Sequence, residues 1–286
     1  MSILLEDPSL YENPHVPQVS DERSLLARLQ AFLSIKAVVS SLTLLTVLAA
    51  WWLVTVFGVI PDILLPSPWA VFKRLGDLAR NGFMDVTLWA HLQASLFRIG
   101  AALGLALVTA VPAGLFMGLS RVGRGILDPL IEFYRPIPPL AYLPLMVIWF
   151  GIGELSKVLL IYFAIFAPLA IATASGVGRV SDTRRQAALS LGASRWQLLR
   201  HVVLPSALPD VLTGLRIALG AGWSTLVAAE LIAATEGLGF MVHAASKFLV
   251  TDVVIAGILV IASIALVLEL GLRTLQARLT PWQNEL

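Results

Sequence analysis

The sequence predicts an all-α, polytopic membrane protein with six transmembrane helices, and three observations carry that prediction. Of its 286 residues, 58% are hydrophobic and only 13% charged, against about a quarter charged in soluble domains, and mean hydropathy is +0.85. Apolar runs of about 20 residues, the length a bilayer crossing needs, recur along the chain. Lysines and arginines gather in alternate connecting segments, the asymmetry that orients membrane proteins. The net charge of +2 is too small to point to nucleic acid as a partner. The chain has no cysteine, which excludes a disulfide framework and thiolate chemistry and leaves the redox compartment open.

Taken in order, residues 1–22 are polar and acidic (Glu6, Asp7, Glu12, Asp21, Glu22), unlike the cationic-then-apolar start of a secretory leader. They read as a poorly ordered tail. Over residues 23–36, Leu25, Leu26, Leu29, Phe32 and Leu33 share one helical face and Arg23, Arg28 and Lys36 lie off it, the pattern of an interfacial helix leading into the membrane. The predicted spans are 37–60, 95–119, 126–150, 156–177, 208–234 and 253–272. A proline-rich loop (Pro61, Pro66, Pro68) and an amphipathic piece carrying Val71, Phe72, Leu75 and Leu78 separate the first two. Tail and interfacial helix thus occupy 1–36 and the transmembrane domain 37–286, its core at about 90–272. No internal repeat is visible, which argues against a fused inverted-repeat carrier.

The third span is interrupted by Arg135-Pro136-Ile137-Pro138-Pro139 and then Pro144. Three prolines in four residues cannot continue a helix, and Pro136 falls roughly 15 Å in from residue 126, near mid-bilayer. Broken backbone at that depth is tolerated only where it is buried in protein or lines a watery cavity. Two readings are open: a break bordering a substrate path, or a packed kink.

Between the fourth and fifth spans lies a loop too cationic for hydrocarbon, 178–205, with Arg179, Arg184, Arg185, Arg195 and Arg200. It reads as two short helices. Thr183 and Gln186 are placed as one capping box and Ser194 and Gln197 as another. Gly192 breaks between the helices, and Pro205 is expected to stop the second. With this loop in the cytoplasm, twelve Lys and Arg residues of short segments lie inside, against five outside (Lys73, Arg74, Arg80, Lys157, Lys247), and both termini are cytoplasmic.

The spacing Gln186-Ala187-Ala188, Gly192-Ala193, Leu204-Pro205 resembles the signature loop of bacterial ABC importer permeases, whose pattern is Glu-Ala-Ala, three residues, Gly, then an apolar-Pro end. This sequence departs at Gln186, where the family carries Glu. Residues 124–134 (RGILDPLIEFY), 135–154 (RPIPPLAYLPLMVIWFGIGE), 222–234 (GWSTLVAAELIAA) and 279–282 (LTPW) are similar to the sulfonate, nitrate and taurine importer group. The likeness runs from about residue 83 to the C-terminus.

The resemblance implies a type I importer permease fold in a bacterial inner membrane. It implies a complex of two copies of this chain, two cytoplasmic ATPases and a periplasmic binding protein, with the loop as coupling helix. It implies translocation of taurine or a related small sulfonate by alternating access, with specificity mostly in the binding protein. ATP and Mg would be bound by the ATPase, with no cofactor and no active site in this chain. Gln186, Ala187, Ala188, Gly192 and Ala193 are then the ATPase-coupling residues, although Gln186 has the alternative of only capping its own helix. Alternative cargoes are alkanesulfonates, nitrate or a pyrimidine vitamin precursor. An ion-driven carrier or channel without an ATPase is the distant rival.

Candidate path residues are Arg135, Pro138, Tyr142, Trp149, Trp223 and Glu230. Tyr142 and Trp149 lie seven apart after the break. Arg216, Gly220, Trp223, Val227 and Glu230 recur at helical spacing. Arg216 and Glu230 stand about 21 Å apart along a helix and cannot pair, so each either offers charge to a zwitterion or is neutralised by a neighbouring helix. Glu132 with Arg135, and Glu269 with Arg273, have the spacing of intrahelical ion pairs. Arg98 is placed near the outer end of its span, snorkelling. His15, His91, His201 and His243 show no metal-ligand spacing. No phosphate-binding G-x-x-x-x-G-K-[ST] loop exists, and Gly151-Ile152-Gly153 reads as a turn.

Overall fold

A computed structural model describes residues 21–282 and, among them, no strand longer than an isolated bridge at Phe83 and Val86. Of the tail expected at 1–22, residues 1–20 lie outside the described residues and 21–22 begin a helix; the side chains of 21–34, Lys36 and Ala233 also lie outside the described residues. The chain divides into two compact units, Met1–Val59 and Ile60–Leu286. The first contains α1 (Asp21–Val56), in which the interfacial segment and the first span are one uninterrupted helix. Its stretch Ala37–Val56 is long and apolar enough to cross a membrane.

The second unit runs α2 (Pro68–Asn81), α3 (Leu88–Leu119), α4 (Arg121–Tyr134), α5 (Leu143–Phe150), α6 (Glu154–Gly178), α7 (Asp182–Ser190), α8 (Arg195–Leu198), α9 (Leu204–Ala233), α10 (Leu238–Lys247) and α11 (Thr251–Leu279). Side-chain caps set several starts. Ser67 accepts from Ala70 N, Thr87 from Ala90 N and Ser120 from Gly123 N. Four of the helices carry an internal proline, at Pro112, Pro129, Pro168 and Pro209, which neighbouring helices make tolerable in a membrane setting.

The core is a three-helix sandwich of α3, α6 and α9 built on small residues. Ala102, Ala106 and Ala110 form a fully buried stripe down α3. Gly114 abuts Ala170 and Thr173, and Gly118 abuts Val177. Across the other face of α6, Gly176 abuts Ala207 and Asp210, Gly214 abuts Ala172, and Gly222 abuts Ile165. Apolar burial does not separate helix–helix from helix–lipid contact, so close backbone approach over small residues is what holds such helices together.

These contacts also set direction. Along α3 and α6 residue numbers rise together, whereas α6 and α9 run opposite ways. Because α3 and α6 are parallel, the chain between them must travel back along the bundle. That return is the third predicted span, and it is discontinuous: α4, a break at 135–138, a single 3-10 turn at Pro139–Tyr142, then α5. Five helices of the described residues are long and apolar enough to span a membrane; the sixth crossing is made of these pieces.

Two expectations are corrected. Pro205 does not stop α8. The backbone passes through one π-turn at Leu199–Val203 directly into α9, so Pro205, its second residue, lies within a continuous helical path and does not end one. The amphipathic α2 buries Val71 and Leu78 but leaves Phe72 exposed; it is tied to the start of α11 by Arg74 and Asp252 at 2.8 Å.

Candidate functional site

The loop between α6 and α9 is a fixed turn. Ser181 caps α7 by accepting from Arg184 N, so the predicted cap at Thr183 is displaced by two residues. The Gln186 side chain makes no hydrogen bond among the described residues, and the reading in which it only caps its own helix is not realised. Gln186 and Ala187 are exposed, while Ala188 and Ala193 are half-buried. Gly192 has φ +82°, a left-handed conformation that glycine takes without a Cβ penalty. Gly192 N donates to Leu189 O at 2.9 Å and Ala193 N to Ala188 O at 3.1 Å. That pair of bonds is the Schellman arrangement of a helix end, and it explains the spacing of Ala188, Gly192 and Ala193 from backbone geometry alone.

α8 begins with the predicted capping box. Gln197 N donates to Ser194 Oγ, and Ser194 N to Gln197 Oε1 at 2.8 Å. Arg185 Nη2 donates to Val177 O at 2.7 Å, which ties α7 to the end of α6. Around this turn Leu189, Leu191 and Trp196 are exposed, Leu191 by 90%. The result is a rigid knob with an apolar tip, continuous through the π-turn with the whole of α9.

Beside the proline break lies a cavity of about 330 Å³ between the end of α4, α6 and α9. Arg135 and Tyr142 line it, and Pro138 sits between two lining residues, Ile137 and Pro139. The remaining wall includes Tyr134, Phe163, Ala221, Ser224 and Thr225. The rings of Tyr134 and Tyr142 meet Phe163 edge-on, with centroids 6.1 and 6.3 Å apart. Of the two readings of the break, the lined cavity is the one this geometry supports. The predicted pairing of Arg135 with Glu132 is absent; Arg135 is exposed and has no ion pair among the described residues.

The other path candidates lie elsewhere. Trp149 is 63% exposed and packs edge-on against Phe150. Unlike Tyr142, it does not line the cavity. Trp223 is buried between α9 and α11 beside Leu219, Ala265 and Leu268. Arg216 is neutralised by Glu269 of α11 and also donates to Gln276 Oε1 at 3.2 Å, and Glu269 also pairs with Arg273 at 2.9 Å as predicted. The face of α9 that borders the cavity is the adjacent one, Ala221, Ser224 and Thr225. The signal for it was present in the sequence: two hydroxyls side by side in an apolar span. The ionisable residues point instead to a face that does not line this cavity.

Glu230 is completely buried, and so is Arg98, which corrects the placement of Arg98 as a snorkelling residue. Arg98 forks onto Glu154 at 2.6 and 2.8 Å and reaches Glu230 Oε1 and Glu236 O, each at 2.7 Å. Lys157, expected in an outer loop, is buried and donates to Glu154 at 2.8 Å. The first amides of α10 are held by side chains of α3 and α9. Gly237 N donates to His91 Nδ1 at 3.1 Å, Leu238 N to Ser95 Oγ at 2.9 Å and Gly239 N to Glu230 Oε2 at 2.8 Å. Glu230 is therefore a clamp on α10 and does not line the cavity beside the proline break. Among the described residues no group of three or more His, Asp or Glu side chains is arranged to hold a metal.

Residues 110–281 match the family described as binding-protein-dependent transport system inner membrane component. The chain is 63% identical over 244 residues to the taurine transport system permease protein TauC of Escherichia coli (strain K12), covering 85% of this chain and 89% of that protein. It is 36% identical over 236 residues to the aliphatic sulfonates transport permease protein SsuC of the same organism, covering 82% and 88%. An inward-facing structure of the MetNI methionine ABC transporter superposes with a TM-score of 0.61 at 16% identity, covering 68% of this chain and 97% of that one. That likeness speaks to the fold.

Proposed function

The chain belongs to the family of binding-protein-dependent transport system inner membrane components, and from that premise we propose that it is the permease subunit of an ATP-driven importer of taurine or a related small sulfonate. The observation that carries the cargo is the 63% identity to a taurine permease over most of both chains. The α7–α8 knob supports the mechanism. Its exposed Leu189, Leu191 and Trp196 suit a groove on a separate ATPase, and its continuity with α9 carries a push at the knob to the cavity wall at Ser224 and Thr225.

In this reading two copies of the chain assemble with two cytoplasmic ATPases, which bind ATP and Mg, and with a periplasmic binding protein. The knob and both termini face the cytoplasm. Closure of the ATPase pair moves the knobs and opens the path outward, and hydrolysis resets it inward. The permease itself performs no bond chemistry and holds cargo weakly, since a tight site would trap it.

The test is uptake of labelled taurine into proteoliposomes containing the permease, its ATPase and the binding protein. Wild type accumulates taurine only with ATP. Gly192→Pro and Ala188→Asp, which break the turn and charge its half-buried side, insert normally and transport at least tenfold less per ATP hydrolysed. Normal ATP-dependent uptake by both variants contradicts the coupling role.

A further inference from the structure

We propose that the cavity beside the proline break is an anion-selective subsite. Arg135 receives the sulfonate of a passing cargo molecule, and the rings of Tyr134, Tyr142 and Phe163 receive its ammonium end. The permease then selects among solutes itself and does not simply conduct what a binding protein delivers. The inference rests on the importer reading above and adds a site to it.

The first ground is the state of the charge. Of the three arginines within the predicted spans, Arg98 is neutralised by Glu154 and Glu230 and Arg216 by Glu269. Arg135 alone of the three has no carboxylate partner among the described residues. It sits at a backbone break beside the middle of α6, whose cavity-lining residues run from Phe163 to Pro168 within a helix spanning Glu154–Gly178. An unpaired guanidinium at membrane mid-depth is costly unless it meets water or an anion. A planar guanidinium also matches the paired oxygens of an oxyanion better than an ammonium does.

The second ground is the wall. Ring faces attract cations, and two tyrosines and a phenylalanine converge here. Tyr134 Oη is buried with no hydrogen-bond partner. Ser224 is exposed and uses its proton on Gly220 O, which leaves its lone pairs as acceptors. The cavity therefore offers a cationic donor, an acceptor and aromatic faces within about 330 Å³, the low end for small-ligand pockets and ample for a two-carbon zwitterion. One guanidinium with no closed cage around the ammonium gives weak, fast-exchanging binding, which suits conduction.

The test uses the absence of cysteine from the chain. Ser224→Cys introduces one thiol into the cavity. In the assembled transporter it is labelled with two methanethiosulfonates of similar size, one ending in a sulfonate and one in a quaternary ammonium, each rate normalised to a free thiol in solution. The sulfonate reagent is favoured at least tenfold, and millimolar taurine slows it. Adding Arg135→Gln brings the preference within twofold of solution and removes protection by taurine; Arg135→Lys retains part of the preference. Absence of labelling by either reagent, absence of charge preference, a preference unchanged in Arg135→Gln, or absence of taurine protection overturns the subsite. ATP-driven uptake by the wild-type complex is scored separately, so a failure of the importer reading is distinguishable from a failure of the subsite.

Discussion

Arg98 and Glu230 show how a charge inside a membrane protein serves structure. Glu230 spends both oxygens on Arg98, Ser95 and Gly239 N, and through them fixes the start of α10 against α3 and α9. Removing one partner of a buried pair leaves the other uncompensated, a loss of about 3–5 kcal/mol. Glu230→Ala is accordingly expected to lower the thermal unfolding temperature of the purified protein sharply, and Glu230→Gln, which keeps the shape and one acceptor, less so. At matched membrane levels Glu230→Gln transports normally; a large fall in uptake with unchanged stability places Glu230 in the path instead. None of this was legible in the sequence. Arg98 and Glu230 lie 132 residues apart, and helical periodicity reveals which residues share a face without revealing which helix that face meets. Arg216 was the easier case, because Glu269 already stood out through its own spacing with Arg273.

At the scale of elements, the most legible part of the chain was the most local one. Ser194 with Gln197, and Gly192 between two short helices, are backbone-capping chemistry confined to a few residues, and the structure reproduces them. The cap at Thr183 failed because Ser181 offers the same hydroxyl two residues earlier. The stop at Pro205 failed because the π-turn at Leu199–Val203 joins α8 to α9 without an end. The break at 135–138 was read correctly from proline density. The cavity behind it was half read: Arg135 and Tyr142 belong to the broken segment itself, whereas Phe163, Ser224 and Thr225 arrive from helices that only tertiary packing brings there.

For the whole molecule, the six-crossing count depends on the direction of α3 relative to α6, and that direction depends on glycines. A Cβ at Gly214 falls on Ala172 Cβ, so Gly214→Val is expected to force α9 away from α6 and to reduce the assembled, detergent-stable protein severalfold. Gly271 has open space around its Cα, and Gly271→Ala serves as the matched control that leaves yield unchanged. Composition and hydropathy were enough to reveal a membrane protein and its span number. They could not reveal that one crossing is made of short pieces, because an interrupted apolar run and a continuous one have the same composition.

The most direct test of the account is whether the α7–α8 knob touches a motor. With no native cysteine in the chain, Leu191→Cys places a single thiol at the most exposed apolar tip of the knob. A thiol-to-amine cross-linker added to inside-out membrane vesicles containing the cognate ATPase is predicted to yield a permease–ATPase product, with labelling from the cytoplasmic face. Labelling only from the opposite face, or no ATPase adduct in vesicles that hold both subunits, contradicts it.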